Sequence, residues 1–293
     1  METVIQCPVC GKDLFRPYMT CKDYLVSSQE FTIQQCESCS FRFTNPRPDP
    51  SSIGSYYKSD QYISHNDSGS GLINVAYRAV RNYTLRSKLN LINRLNGNAG
   101  SLLDVGCGTG AFLQICKSGG WQVMGMEPDD DARRISADKL QIVIKQRLSD
   151  FSDTNKFDVI TLWHVLEHIA DLNEAVSKLH ELLDSRGTLL IAVPNSDSYD
   201  AQFFKQYWAA YDVPRHLHHF TPSTIQQLFQ KHNLKLIDKR PMVFDAFYIA
   251  MLSTQYISGE TDYLKSVRVG LTSNNYAKQT GHYSSLIYIF KQC

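Results

Sequence analysis

The stretch Leu102–Phe112, LLDVGCGTGAF, sets an apolar run and an acid ahead of three glycines in five residues, after which the chain turns apolar again. SLLDVG reads as a buried strand, and GTGAFLQICKSGG as a helix closed by glycine. The pattern then repeats. WQVMGME reads as a second strand, PDDDARRISADKL as a helix with acids in its first turn, IVIKQ as a third strand and FDVITLW as a fourth. DLNEAVSKLHELLDSRG follows as a helix and TLLIAVPN as a fifth strand. Strands alternating with helices at this spacing predict an α/β fold, doubly wound, with a parallel sheet covered on both faces. Ligands of such sheets bind beyond the carboxyl ends of the strands, where strand order reverses. The glycine stretch sits at the first such end.

Gly106, Gly108 and Ala111 satisfy the loose dinucleotide pattern G-x-G-x-x-G/A, so an NAD(P)-dependent oxidoreductase is one reading. The glycine spacing itself is G-x-G-x-G, Asp104 lies two residues before the first glycine, and Glu127 closes the second strand. That geometry suits a small zwitterion joined to a nucleoside: bare backbone admits it, a helix N-terminus faces its carboxylate, and Glu127 can accept both ribose hydroxyls. LLDVGCGTGAFL, GMEPD and FDVITLWHVLEHIAD together resemble the class I S-adenosylmethionine-dependent methyltransferases over Ser101 to Asn195. The resemblance implies a Rossmann-like seven-stranded sheet with an antiparallel last strand at its edge. It also implies cofactor contacts from Asp104, Gly106, Gly108 and Gly110, ribose contact from Glu127, and adenine contacts around Asp150 and Phe151. Asp153 is the alternative to Asp150, and Trp163 and His164 would border the methionine end of the cofactor. LKLIDKRPM and YSSLIYIF would supply the sixth and seventh strands, with residues 243–282 inserted between them.

Five of the eight cysteines lie in the first 40 residues, and four form two pairs, Cys7-Pro-Val-Cys10 and Cys36-Glu-Ser-Cys39. Each C-x-x-C turn aims two thiolates at one point, and two such turns make the closed tetrahedron that Zn²⁺ prefers. Four thiolates leave no open position, so the metal would be structural. Buried or redox cysteines are the alternative, and Cys21 is a spare thiol or a replacement ligand. The sequence thus divides into a zinc-ribbon-like module (1–45), a linker and helix (46–98), and a methyltransferase-like domain (99–293) with inserts at 196–220 and 243–282. The linker carries Tyr56, Tyr57 and Tyr62. Its helix, LINVAYRAVRNYTLRSKLNLINRL, holds Arg78, Arg81, Arg86, Lys88 and Arg94 and no acid, which fits a solvated face or a contact for an anionic ligand. The cysteine-paired module is also similar to that of sugar C-methyltransferases, although those proteins carry a longer C-terminal domain.

A sulfonium methyl is already electrophilic, so catalysis would rest on aligning a nucleophile and removing its proton. Histidine is the natural base near neutral pH. WHVLEH offers His164 and His168, which would share a face if helical, and RHLHHF offers His216, His218 and His219. RHLHHF lies within WAAYDVPRHLHHFTPSTIQQLF, which resembles a D-x-P-R-H-L-x-x-F segment of one methyltransferase subgroup. Arg215 either clamps a carboxylate or phosphate or pairs with Asp212. A catalytic metal is the less favoured use of these histidines, because no helical H-x-x-x-H or H-E-x-x-H pattern links the RHLHHF ligands.

The resulting expectation is a methyltransferase for a small or medium-sized polar acceptor such as a sugar, lipid or glycan precursor. An RNA or protein methyltransferase, with the zinc module gripping the macromolecule, is the alternative. A net charge of +1 and the lack of a basic aromatic signature argue against nucleic acid. With no run of about 18 apolar residues and no secretory leader pattern, a cytoplasmic protein is expected.

Overall fold

The structure, a computed structural model, describes residues 1–57 and 72–293, and no side chain from 72 to 78. Tyr62 and the side chain of Arg78 therefore lie outside the described residues. In chain order the elements are β1 (Phe15–Lys22), β2 (Glu30–Cys36), β3 (Arg42–Thr44), α1 (Leu72–Asn96), β4 (Ser101–Val105), α2 (Ala111–Ser118), β5 (Gln122–Met126) and α3 (Asp130–Leu140). They continue with β6 (Ile144–Lys145), β7 (Phe157–Trp163), α4 (Leu172–Leu182), β8 (Leu183–Pro194), α5 (Tyr199–Phe204), β9 (His218–His219) and α6 (Pro222–Lys231). The last four are β10 (Leu234–Pro241), α7 (Asp245–Ser258), α8 (Tyr263–Thr280) and β11 (Ser285–Gln292).

Seven strands form one sheet in the order β10-β11-β8-β7-β4-β5-β6. The chain winds outward from β4 through β5 to β6, then returns to the other side at β7, so strand order reverses beside β4. β4, β5, β6, β7 and β8 run parallel, whereas β11 is antiparallel to both β8 and β10. β11 is antiparallel as expected but is not the edge. Its SLIYIF run is buried throughout and suits an interior place, while β10 buries Leu234 alone, half-buries Leu236 and Asp238 between exposed residues, and closes the sheet. β8 also begins at Leu183, earlier than TLLIAVPN suggested, because it pairs with Phe157 at the start of β7.

Helix starts follow ordinary capping chemistry. Asp129, Asp171 and Thr221 each accept a backbone N–H in the first turn of α3, α4 and α6, and Pro222 opens α6 where its missing N–H costs nothing.

β1, β2, β3 and β9 form a second sheet, antiparallel throughout. Its last partner comes from the 196–220 insert: Arg42 pairs with His219 and Phe43 with His218. Cys7, Val9, Cys36, Phe41 and Phe43 pack in the same core as Leu162, Phe220 and Phe290. The first 45 residues and the large sheet thus share one apolar interior.

Candidate active site

The site is built where β4 gives way to the glycine loop. Gly106 takes φ +69°, and a Cβ there would meet Val165 at 2.4 Å, so the position admits no side chain. Gly108, at φ +53°, has nothing within 4 Å of where a Cβ would stand, and its N–H donates to Glu127 Oε2 at 2.8 Å. Glu127 also accepts from the Asp129 N–H at 3.0 Å, and burial, its largest influence, raises its carboxyl against those two bonds. Gly110 leads directly into α2, whose N-terminal N–H groups face the same end of the sheet. Asp104, buried near the end of β4, accepts from the Thr161 hydroxyl of β7 at 2.6 Å. Burial pushes its carboxyl up to about 7, against the opposing pull of Thr161 and of Lys88.

Trp163 ends β7 edge-on to Phe112, and the Lys88 ammonium of α1 lies 4.2 Å from its ring centre. Burial lowers the Lys88 pKa, while Asp104 and Asp245 work to raise it. The indole Nε1 of Trp163 is buried without a hydrogen-bond partner. His164 follows at φ +59°, with its backbone N–H on the Ala192 carbonyl. Its Nε2 is 3.1 Å from Asp245 Oδ2, and its Nδ1 is 3.4 Å from Glu167 Oε1. Burial disfavours the charged ring, but the two carboxylates outweigh it and hold the pKa at about 9. Lys88 was visible in the sequence as part of the acid-free helix. Nothing in the linear pattern marked Asp245, which the 243–282 insert delivers.

WHVLEH is not an α-helix. Only Leu166–His168 makes a single 3₁₀ turn, so His164 and His168 do not share a helical face. His168 Nδ1 lies 3.0 Å from both the Tyr57 hydroxyl and the Arg215 carbonyl. Burial, then the nearby His216, pushes its pKa down to about 4. Burial also works to raise the Glu167 carboxyl, but the adjacent His164, His216 and His168 hold it below its ordinary value.

In RHLHHF the His216 ring donates from Nδ1 to the Ala210 carbonyl at 2.8 Å and meets His168 edge-on at 4.6 Å. His218 and His219 alternate across β9. His218 Nε2 bonds the Ile169 carbonyl at 3.0 Å and its ring packs on Phe41, while His219 Nε2 lies 3.1 Å from the Thr44 hydroxyl. Both are buried, and burial pushes both pKa values down, that of His218 to about 3. Their contacts are those of anchors between the insert and the first sheet. Arg215 is buried and committed to two carboxylates, Asp212 at 2.6 Å and Asp23 at 2.9 Å. Of the residues assigned to the adenine end, Asp150 accepts the N–H groups of Gln146 and Arg147, and Phe151 packs on Phe157. Asp153 pairs with Lys178.

Cys7 and Cys39 approach to 3.5 Å between sulfurs, as do Cys10 and Cys36, and all four sulfurs lie within 4.8 Å of one another. A hydrogen bond with Cys39 pulls the Cys7 thiol down to about 5. Cys21 lies elsewhere, buried among Phe31, Trp208 and Tyr211, where burial pushes its thiol up to about 12.

A reversing sheet with an inserted antiparallel strand, a glycine loop after its first strand and an acid after its second define the Rossmann-like, S-adenosylmethionine-dependent methyltransferase class. Residues 77–239, more than half of the chain, match the methyltransferase domain family, and the chain belongs to that family. Membership decides against the dinucleotide reading of the glycine loop. The ubiquinone biosynthesis O-methyltransferase of Rhodopseudomonas palustris (strain TIE-1) is 24% identical over 156 residues, covering 49% of this chain and 62% of that one. The enzyme of the same name from Nitrobacter winogradskyi is 26% identical over 158 residues, covering 50% and 60%. The matches therefore span less than two thirds of these relatives. Among solved structures, magnesium protoporphyrin IX methyltransferase from Synechocystis PCC 6803 with bound S-adenosylhomocysteine superposes with a TM-score of 0.54 at 14% identity, covering 81% of this chain and 97% of that one. Among the described residues, no helix is long and apolar enough to cross a membrane.

Proposed function

We propose that the protein transfers a methyl group from S-adenosylmethionine to a small-molecule acceptor. The observation that carries this is the open space at Gly108, whose N–H is held by Glu127 and which lies just ahead of the N-terminus of α2. Bound there, S-adenosylmethionine supplies an electrophilic methyl. Glu127 receives the ribose hydroxyls in exchange for the N–H groups it now holds. Asp104 meets the ammonium group, the methionine end lies toward Trp163 and Lys88, and Asp150 and Phe151 border the adenine. His164, with Asp245 on one ring nitrogen and Glu167 on the other, is the histidine best placed to hold or move the acceptor's proton. His216, whose Nε2 is not hydrogen-bonded, is the second candidate; His218 and His219 serve as anchors. The related enzymes named for quinone and porphyrin substrates favour a small acceptor over a macromolecule.

The four cysteines fit structural zinc. With Zn–S bonds of about 2.3 Å, tetrahedral sulfurs stand about 3.8 Å apart, close to the spacing seen. Zinc there would tie the turn that precedes β1 to the end of β2 and the turn after it.

Calorimetric titration with S-adenosylmethionine and S-adenosylhomocysteine, with NAD and NADP as controls, tests the assignment. Binding of the adenosyl ligands alone is expected; binding of the nicotinamide ligands alone would overturn it.

A further inference from the structure

We propose that Glu167, His168 and His216 form a site for one divalent transition-metal ion, separate from the four-cysteine cluster. One ligand atom from each of the three lies within 4.8 Å of the others. The two rings are already oriented for the purpose. His216 donates from Nδ1 to the Ala210 carbonyl, and His168 engages the Arg215 carbonyl and Tyr57 hydroxyl through Nδ1. Each ring is thereby left with Nε2 as its uncommitted nitrogen, the arrangement by which outer partners fix a metal-binding imidazole.

The carboxylate supplies an independent indication. Glu167 is 1% exposed, and neither of its oxygens has a hydrogen-bond partner. The His164 ring nitrogen at 3.4 Å is an ion-pair neighbour only. A buried carboxylate that makes no hydrogen bond and has only the His164 ring beside it is costly, and a cation between it and two imidazoles would offset that cost. Asp212 does not complete the set, because both of its oxygens accept from the Arg215 guanidinium.

Two imidazoles and one carboxylate suit Zn²⁺, Mn²⁺, Fe²⁺ or Co²⁺ better than Ca²⁺ or Mg²⁺. Three protein ligands leave coordination positions open to water or to a ligand oxygen. This distinguishes the site from the closed cysteine cluster.

Cobalt separates the two sites, because thiolate ligation gives an intense charge-transfer absorption and nitrogen–oxygen ligation only weak d–d bands. The metal-stripped full chain, dialysed against Co²⁺, is expected to bind two ions, one of them without a thiolate band. Glu167→Gln and His216→Ala should each weaken that second ion at least ten-fold while retaining the thiolate band. Far-ultraviolet circular dichroism checks the fold, and the near-isosteric Glu167→Gln carries the test if His216→Ala is disrupted. A single cobalt with only the thiolate band, or a second ion equally tight in Glu167→Gln, would overturn the proposal.

Discussion

Among the described residues, the buried charges around Arg215 and those around the glycine loop are treated in opposite ways. Around Arg215 every partner is saturated. Its guanidinium holds Asp212 and Asp23, and Asp23 accepts further from the N–H groups of Leu25, Val26 and Ser27 and from the Ser27 hydroxyl. Around the glycine loop the accounting is incomplete. Among the described residues, Asp104 has one hydrogen bond, Lys88 lies over Trp163 with no carboxylate in salt-bridge contact, and the Trp163 indole donor has no acceptor. Saturated charge of the first kind joins parts of a structure. Unsaturated charge of the second kind marks a place prepared for a ligand, at a cost in stability.

Three substitutions probe that contrast. The largest effect is expected from Arg215→Met, which strands two carboxylates and should lower unfolding stability by about 3–5 kcal/mol in urea titrations. A loss under 1 kcal/mol would mean the cluster is not the joint described. Next, Glu127→Ala should weaken S-adenosylmethionine binding by about 10–100-fold in calorimetry with the melting temperature little changed, consistent with losing hydrogen bonds to a charged group. The third effect, that of Asp104→Asn, is spread over a pH window rather than present at one pH, and its sign is opposite to that of Arg215→Met. Because folding raises the Asp104 pKa from 3.8 to about 7, the folded state keeps a proton that the unfolded chain releases. The stability this contributes is complete below pH 3.8 and is lost as pH rises to about 7. Cofactor-free Asp104→Asn should therefore gain on the wild type across that window, by at most about 1.4 kcal/mol per pH unit, and run parallel above it. A constant difference from pH 4 to 8 would place the carboxylate in a wetter setting.

What could be read beforehand was whatever depends on neighbours in sequence. LLDVGCGTGAF declares a strand, a bare turn and a helix within one short run, and each C-x-x-C pair is a local turn, so both gave correct geometry in advance. The alternation from β4 to β8 was equally plain. β1 was not recognised, because FRPYMTCK carries a proline, a basic residue at each end and little alternation. The i, i+4 spacing of His164 and His168 would put them on one face only in a helix, and His164 adopts a left-handed backbone that spacing does not reveal. The remaining gaps are tertiary. Arg215 finds Asp23 192 residues away, and His168 is bonded to the Arg215 carbonyl 47 residues ahead. The grouping of Glu167 and His168 with His216 was hidden for the same reason: 48 positions separate the two histidines in the sequence.

The pairing of β3 with β9 also bears on how the chain is made. β3 is made long before its partner, which arrives only when His219 has been synthesised, so its free edge must wait while the residues between them are made. Contacts this distant in sequence slow folding. The small sheet can close once β9 has been made, whereas the large sheet still waits for β10 and β11, which follow β9 in the chain.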